Sequence, residues 1–82
     1  MTYEIIFEPP ALDAAARFLK EDPSGLAKVL DAIDELAHDP NPAGSRPYGP
    51  DTRRLRVGEY RVLYVIDREV IHIVVTLLGR TA

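Results

Sequence analysis

Between Thr52 and Leu78 the chain reads as three strand-like runs, about Thr52 to Val57, Tyr60 to Asp67 and Val70 to Leu78. Only the short breaks Gly58-Glu59 and Arg68-Glu69 separate them. Breaks this short favour successive antiparallel hairpins. Glycine at the first central position of a two-residue loop is what a type II′ turn needs, so the first hairpin is expected to pair Val57 with Tyr60 and Arg56 with Arg61. The second break has no glycine. A two-residue turn there pairs Asp67 with Val70 and sets Arg61 opposite Thr76.

Side chains alternate along a strand, so this register sorts them onto two faces. One face collects Leu55, Val57, Tyr60, Val62, Tyr64, Ile66, Ile71, Ile73, Val75 and Leu77, nearly all apolar, with Tyr60 and Tyr64 expected in the core. The other collects Arg54, Arg56, Arg61 and, continuing the alternation, Arg80, together with Leu63, Val65, Val74 and Leu78.

The upstream half supplies the cover for the apolar face. Thr2 to Glu8 reads as a strand that stops at Pro9-Pro10. Pro10 starts a helix through Lys20, with Leu12, Ala15, Phe18 and Leu19 on one side. Asp22 caps a second helix that begins at Pro23 and carries Leu26, Val29, Leu30, Ile33, Leu36 and Ala37 at helical spacing. His38, at its end, suits the negative pole of the helix dipole. Asp39 to Asp51 holds four of the seven prolines and reads as a connecting loop. The order β-α-α-β-β-β predicts an α+β fold, one domain over residues 1–82, with a helix hairpin on one face of a small, mainly antiparallel sheet.

Charge follows the same division. Residues 1–45 hold nine acidic against three basic residues, a net of −6, whereas residues 46–82 hold seven arginines against four acids, a net of +3. The overall charge of −3 therefore hides an arginine-rich sheet. Like charges crowded on one face cost stability unless an anion is bound, and arginine is the side chain suited to bidentate phosphate contact, so the cluster reads as a phosphate-binding face. Leu63, Val65, Val74 and Leu78 form an uncovered apolar strip beside it, a surface expected to meet a protein partner.

Other candidates carry weaker signals. His72 falls on the arginine face between Val70 and Val74, and Tyr48 beside Arg46 has the chemistry to stack on a base. Glu59, at the hairpin tip, is placed to act as a base only if the turn folds toward Arg61. With no cysteine in 82 residues, disulfides and thiolate metal sites are excluded. No glycine-rich phosphate loop, carboxylate pair or histidine cluster has nucleotide or metal spacing, so no cofactor and no metal is expected. Met1 to Glu8 lacks a basic start and a long apolar run, and no stretch approaches a membrane span, so a cytoplasmic protein without membrane contact is expected.

The run Leu55-Arg56-Val57-Gly58-Glu59-Tyr60-Arg61-Val62-Leu63-Tyr64-Val65-Ile66-Asp67, with Gly79-Arg80 after the last strand, resembles the RelE/ParE superfamily of bacterial toxins. The resemblance spans the whole chain. It implies a microbial RNase-like fold and a toxin of a type II toxin–antitoxin pair: an endoribonuclease that cleaves messenger RNA in the ribosomal A site, neutralised by a cognate RelB-like antitoxin. Operator DNA would be met only through the antitoxin complex. The positions matching the family's basic sheet-face residues are Arg54, Arg56, Arg61 and Arg80. Attack by the RNA's own 2′-OH builds negative charge on phosphorus, and strand-fixed arginines stabilise it without a metal. Arg61 and Arg80 are assigned that catalytic role, Arg54 and Arg56 the flanking phosphates, and Arg53 an outward rim contact with RNA. Leu63, Val65, Val74 and Leu78 are assigned to the antitoxin.

The sequence departs from the family in two respects. Related toxins commonly carry a tyrosine on a C-terminal helix, where this sequence stops at Gly79-Arg80-Thr81-Ala82. Where relatives place a lysine as general base, it has Thr52 and Arg54, and arginine is a poor proton acceptor at neutral pH. The resemblance therefore also admits a ParE-like inhibitor of DNA gyrase without nuclease chemistry, or a degenerate member that binds only its antitoxin.

Overall fold

Pro9-Pro10 and Pro23 punctuate the first third of the chain as their fixed φ and missing N–H require, each at the start of a helix. The computed structural model describes residues 2–81, and Met1 and Ala82 lie outside the described residues. Its elements are β1 (Glu4–Phe7), α1 (Pro9–Glu21), α2 (Pro23–Glu35), β2 (Ser45–Gly49), β3 (Thr52–Val57), β4 (Tyr60–Asp67) and β5 (His72–Arg80). The strands form one sheet in the order β1-β5-β4-β3-β2. β1 pairs with β5 in parallel and the other pairs are antiparallel. The helix hairpin packs on one face of this sheet, the α+β arrangement expected from the sequence.

Asp22 joins the two helices. One carboxylate oxygen accepts from the Gly25 backbone N–H at 3.1 Å, capping α2, and the other accepts from the Tyr60 hydroxyl at 3.0 Å. A side chain at position 25 would meet the Asp22 carboxylate, which would have to shift from its capping position. α2 buries Leu26, Val29 and Ile33, continued by Leu36 just beyond its end. On α1 the buried stripe is Ala11, Ala14, Ala15 and Phe18, whereas Leu12 and Leu19, expected on that side, are 56% and 46% exposed. Small residues let the helix sit close to the sheet, where Phe18 meets Tyr60 edge-on at 5.4 Å between ring centroids. Val62, Tyr64, Ile73 and Val75 complete the centre of the core, and the Tyr64 hydroxyl donates to the Pro40 carbonyl at 2.6 Å.

Three features differ from the sequence expectation, and two of them, the added strand and the bulge, change the placement of site residues. The loop Asp39–Asp51 contains β2, an edge strand in which Arg46 pairs with Arg54 and Pro47 with Arg53. Proline is tolerated there because an edge strand has one side free of ladder hydrogen bonds. The second turn is longer than two residues, since Asp67 pairs with His72. The Asp67 carboxylate takes the place of a turn glycine by accepting from the backbone N–H groups of Glu69 and Val70 at 3.1 and 3.3 Å. Ile71 closes the turn at φ 58°, a left-handed conformation rare for a β-branched residue.

The third difference is a bulge in β5. Tyr64 pairs with Val75 but Leu63 pairs with Leu77, so Thr76 is extra and its hydroxyl donates to the Leu63 carbonyl at 3.3 Å. Beyond it the faces of β5 are exchanged. Leu78 is only 4% exposed and belongs to the core, Leu77 is 50% exposed on the opposite face, and Arg80 lies opposite Tyr60 on the helix side.

Candidate nucleic-acid interface

The type II′ hairpin forms as its glycine dictates. Gly58 takes φ 58°, Val57 pairs with Tyr60, and Arg56 lies directly opposite Arg61. The same ladder sets Arg54 opposite Leu63, and β2 sets Arg46 opposite Arg54. Arg46, Arg54, Arg56 and Arg61 thus occupy one face of three adjacent strands, the face without helices. The Arg61 guanidinium is steadied by its own hairpin, donating to the Tyr60 and Gly58 carbonyls at 3.2 and 3.5 Å. Arg46, Arg54 and Arg56 are exposed.

Arg80 is not part of this cluster, contrary to the expectation that it shares a face with Arg61. Its guanidinium donates to the Glu21 carboxylate at 2.8 Å and to the Tyr60 hydroxyl at 3.3 Å, and it lies 4.9 Å from the Phe18 ring centroid, with Arg17 4.8 Å from the same centroid. Arg80 ties the last strand to the helix hairpin. The hydrogen bond to Tyr60 holds its pKa above the usual arginine value. Desolvation and the neighbouring Asp22 raise the Tyr60 hydroxyl.

Arg53 is likewise not an outward rim residue. It pairs with Tyr64, on the parity of the core side, and donates to the Ser45 hydroxyl at 2.9 Å and the Ser45 carbonyl at 3.2 Å, fastening β2 to β3. Arg46, on the β2 edge opposite Arg54, joins the cluster from the other side. Sequence reasoning missed it because the prolines of 39–51 masked a strand. The signal for the bulge is the doublet Leu77-Leu78, which breaks strict alternation.

The apolar strip keeps Leu63, Val65 and Val74 half-buried on the arginine side, with Val65 paired to Val74 and Val74 to Ile6. Leu78 is corrected to the core, and Leu77, opposite Leu63, stands in its place. His72 lies at the far end of the sheet, with Nε2 3.5 Å from the Glu4 carboxylate. Glu59 stays at the exposed hairpin tip, where its carbonyl accepts from the Thr81 N–H at 2.8 Å. Among the described residues no group of three or more His, Asp or Glu side chains is placed to hold a metal ion. No helix among them is long and apolar enough to cross a membrane. The strands carry these side chains on one electropositive surface suited to phosphate oxygens.

Solved structures share this architecture over nearly the whole chain. The isolated RelE toxin of E. coli superposes with a TM-score of 0.84 at 18% identity, covering 98% of this chain and 85% of that one. The RelE–RelB complex of Pyrococcus horikoshii gives 0.79 at 22% identity, covering 98% and 96%. The RelBE2 toxin–antitoxin complex of Mycobacterium tuberculosis gives 0.76 at 28% identity, covering 99% and 100%. The fold is that of the RelE/ParE toxin superfamily. No curated protein sequence matches. The sequence model of the ParE toxin of type II toxin–antitoxin systems matches residues 5–81, and the chain belongs to that family.

Proposed function

We propose that this toxin acts in the cytoplasm on messenger RNA at the ribosome, through the arginine face of its sheet, and is neutralised by a cognate RelB-like antitoxin. The observation that carries the proposal is the row of arginines from β2, β3 and β4 on the uncovered face. Arg56 and Arg61 stand directly opposite each other there. Like charges in that arrangement are unfavourable without an anion, and a phosphodiester backbone supplies one. Arg61 is the group assigned to the charge that develops on phosphorus during 2′-OH attack, because its hairpin fixes it in place. Arg54 and Arg56 take flanking phosphates. The endoribonuclease step needs a proton acceptor, and the cluster holds only arginines, so ribosomal RNA groups are assigned the proton transfer. Arg80 contributes to catalysis only indirectly, by holding β5 and the helices together.

The antitoxin surface is assigned to Leu63, Val65 and Val74 with Leu77, next to the arginines, so that a bound segment would also block RNA. Structures of relatives captured with RelB antitoxins support such a partner. In this toxin's own antitoxin complex, contact with operator DNA is assigned to the antitoxin.

A second reading, inhibition of DNA gyrase by binding alone, is favoured by the ParE family match and by the displacement of Arg80 from the cluster. Conditional expression followed by mapping of messenger 5′ ends and of gyrase-linked DNA breaks separates the two. New 5′ ends inside translated codons are expected. DNA breaks with intact messages overturn the nuclease proposal in favour of gyrase.

A further inference from the structure

Tyr48 is the one exposed aromatic residue among the described residues, with 61% of its surface open to water. The other aromatic rings are buried or half-buried, and the hydroxyls of Tyr60 and Tyr64 are bonded to Asp22 and to the Pro40 carbonyl. Tyr48 lies outside the core cluster.

The chain around it is braced. Tyr48 sits on β2, the edge strand next to β3. Pro47 pairs with Arg53 and Gly49 with Thr52, so Tyr48 is an extra residue in the ladder, a bulge of the kind that re-aims a side chain at a sheet edge. Pro47 precedes it with a fixed φ, and Pro50 opens the turn back to β3, with Asp51 at φ 55°. The Asp51 carbonyl accepts from the Ile66 N–H at 2.8 Å, and its carboxylate pairs with Arg68 at 3.1 Å. The Thr52 hydroxyl donates to the Pro50 carbonyl at 3.1 Å. Ordering the ring against a ligand therefore costs little beyond the side chain's own torsions.

The surroundings decide what such a ring can meet. Two residues back along β2, Arg46 stands opposite Arg54 at the border of the arginine face. A flat aromatic beside a row of cations matches single-stranded nucleic acid, whose bases offer π faces and whose linkages are anionic. A protein partner would call for neighbouring aliphatic side chains. The chain neighbours Arg46, Pro47, Gly49, Pro50 and Asp51 supply none of any length.

We propose that Tyr48 is a stacking platform for one unpaired base of the RNA strand. The inference rests on the RNA-binding reading above and adds a contact to a base, where the arginines are assigned to phosphates. Every base has a π face, so the platform accepts any base, with the larger purines preferred. A stack made equally before and during reaction tightens binding without speeding the chemical step, so Tyr48 is a binding residue and not a catalytic one.

The test uses the full chain and a short, fluorescently labelled adenylate strand with 2′-O-methyl sugars, which cannot be cut through its own 2′-OH. Binding is titrated against salt for the wild type, Tyr48→Ala, Tyr48→Leu and Tyr48→Trp, with melting curves to show that each variant folds. Tyr48→Ala is expected to bind roughly fivefold to 150-fold more weakly, with the slope of log affinity against log salt unchanged because no phosphate contact is lost. Tyr48→Trp keeps the affinity, whereas Tyr48→Leu, which has bulk but no π face, binds as weakly as Tyr48→Ala. Strands with an abasic site at each position in turn locate the base: one site weakens the wild type and leaves Tyr48→Ala unaffected. Unchanged binding by Tyr48→Ala, or full binding by Tyr48→Leu, overturns the platform and leaves the RNA-binding reading standing. Failure of the wild-type protein to bind the strand overturns both. Binding that depends on Tyr48 alongside intact messages in cells supports the platform and overturns only the cleavage.

Discussion

Replacing Arg56 by threonine is predicted to make the fold more stable and the toxin weaker. Arg56 is exposed, lies directly opposite Arg61, and has no ion pair or side-chain hydrogen bond among the described residues, so the change removes repulsion without removing a native contact. Two unit charges ~6 Å apart repel by about 0.7 kcal/mol in water, and opposed like charges on a sheet cost about 0.2–1 kcal/mol. Threonine keeps the strand preference of the site. For a domain of this size that gain corresponds to a melting temperature about 1 to 8 °C higher. Thermal unfolding followed by circular dichroism, at low and at high salt, measures it. The gain must shrink in ~1 M salt, where the screening length falls to about 3 Å. Growth arrest on expression should weaken in the same variant. A variant that melts lower than the wild type, or a gain unaffected by salt, refutes the view that these arginines are held together for a ligand.

The hairpin, the bulge and the Tyr60 contact each yield a further test. Gly58→Ala should cost about 1 kcal/mol in a denaturant titration, because position 58 needs φ 58° and a Cβ there meets no other atom within 4 Å. The bulge predicts opposite outcomes for neighbouring leucines: Leu78→Asp, buried, abolishes folding, whereas Leu77→Asp leaves the melting curve near wild type and weakens antitoxin binding measured by calorimetry. Tyr60 retains its proton in the folded state above its ordinary value of 10.0, so the unfolded chain loses that proton first and stability falls as pH rises past that value. Tyr60→Phe should flatten this alkaline limb of a stability-against-pH profile; an unchanged limb would assign it to other groups.

The first hairpin was legible because its turn is a local matter: Gly58 names the turn type, and the turn fixes the Arg56–Arg61 pair. The helix junction was legible for the same reason, with Asp22 before Pro23 acting as the cap. The second turn depends on a side chain in place of a glycine, Asp67, and on an isoleucine at positive φ, so no local rule announced it. The bulge at Thr76 follows from tertiary fit, since it turns Leu78 inward beneath the helices and carries Arg80 to Phe18 and Glu21. Parity counting across one unrecognised extra residue therefore misassigned both Leu78 and Arg80 while leaving Arg54, Arg56 and Arg61 in place. Arg46 was hidden by prolines that only an edge strand accepts.

On the proposed function, the uncovered arginine face, and not the Arg80 latch, is the working surface. Arg61→Ala expressed in cells tests it most directly, with growth arrest and messenger 5′ ends recorded and the purified variant's melting curve compared with wild type. The expected result is a folded protein that no longer arrests growth and leaves no new ends within codons. A folded Arg61→Ala protein that still arrests growth as the wild type does would contradict it.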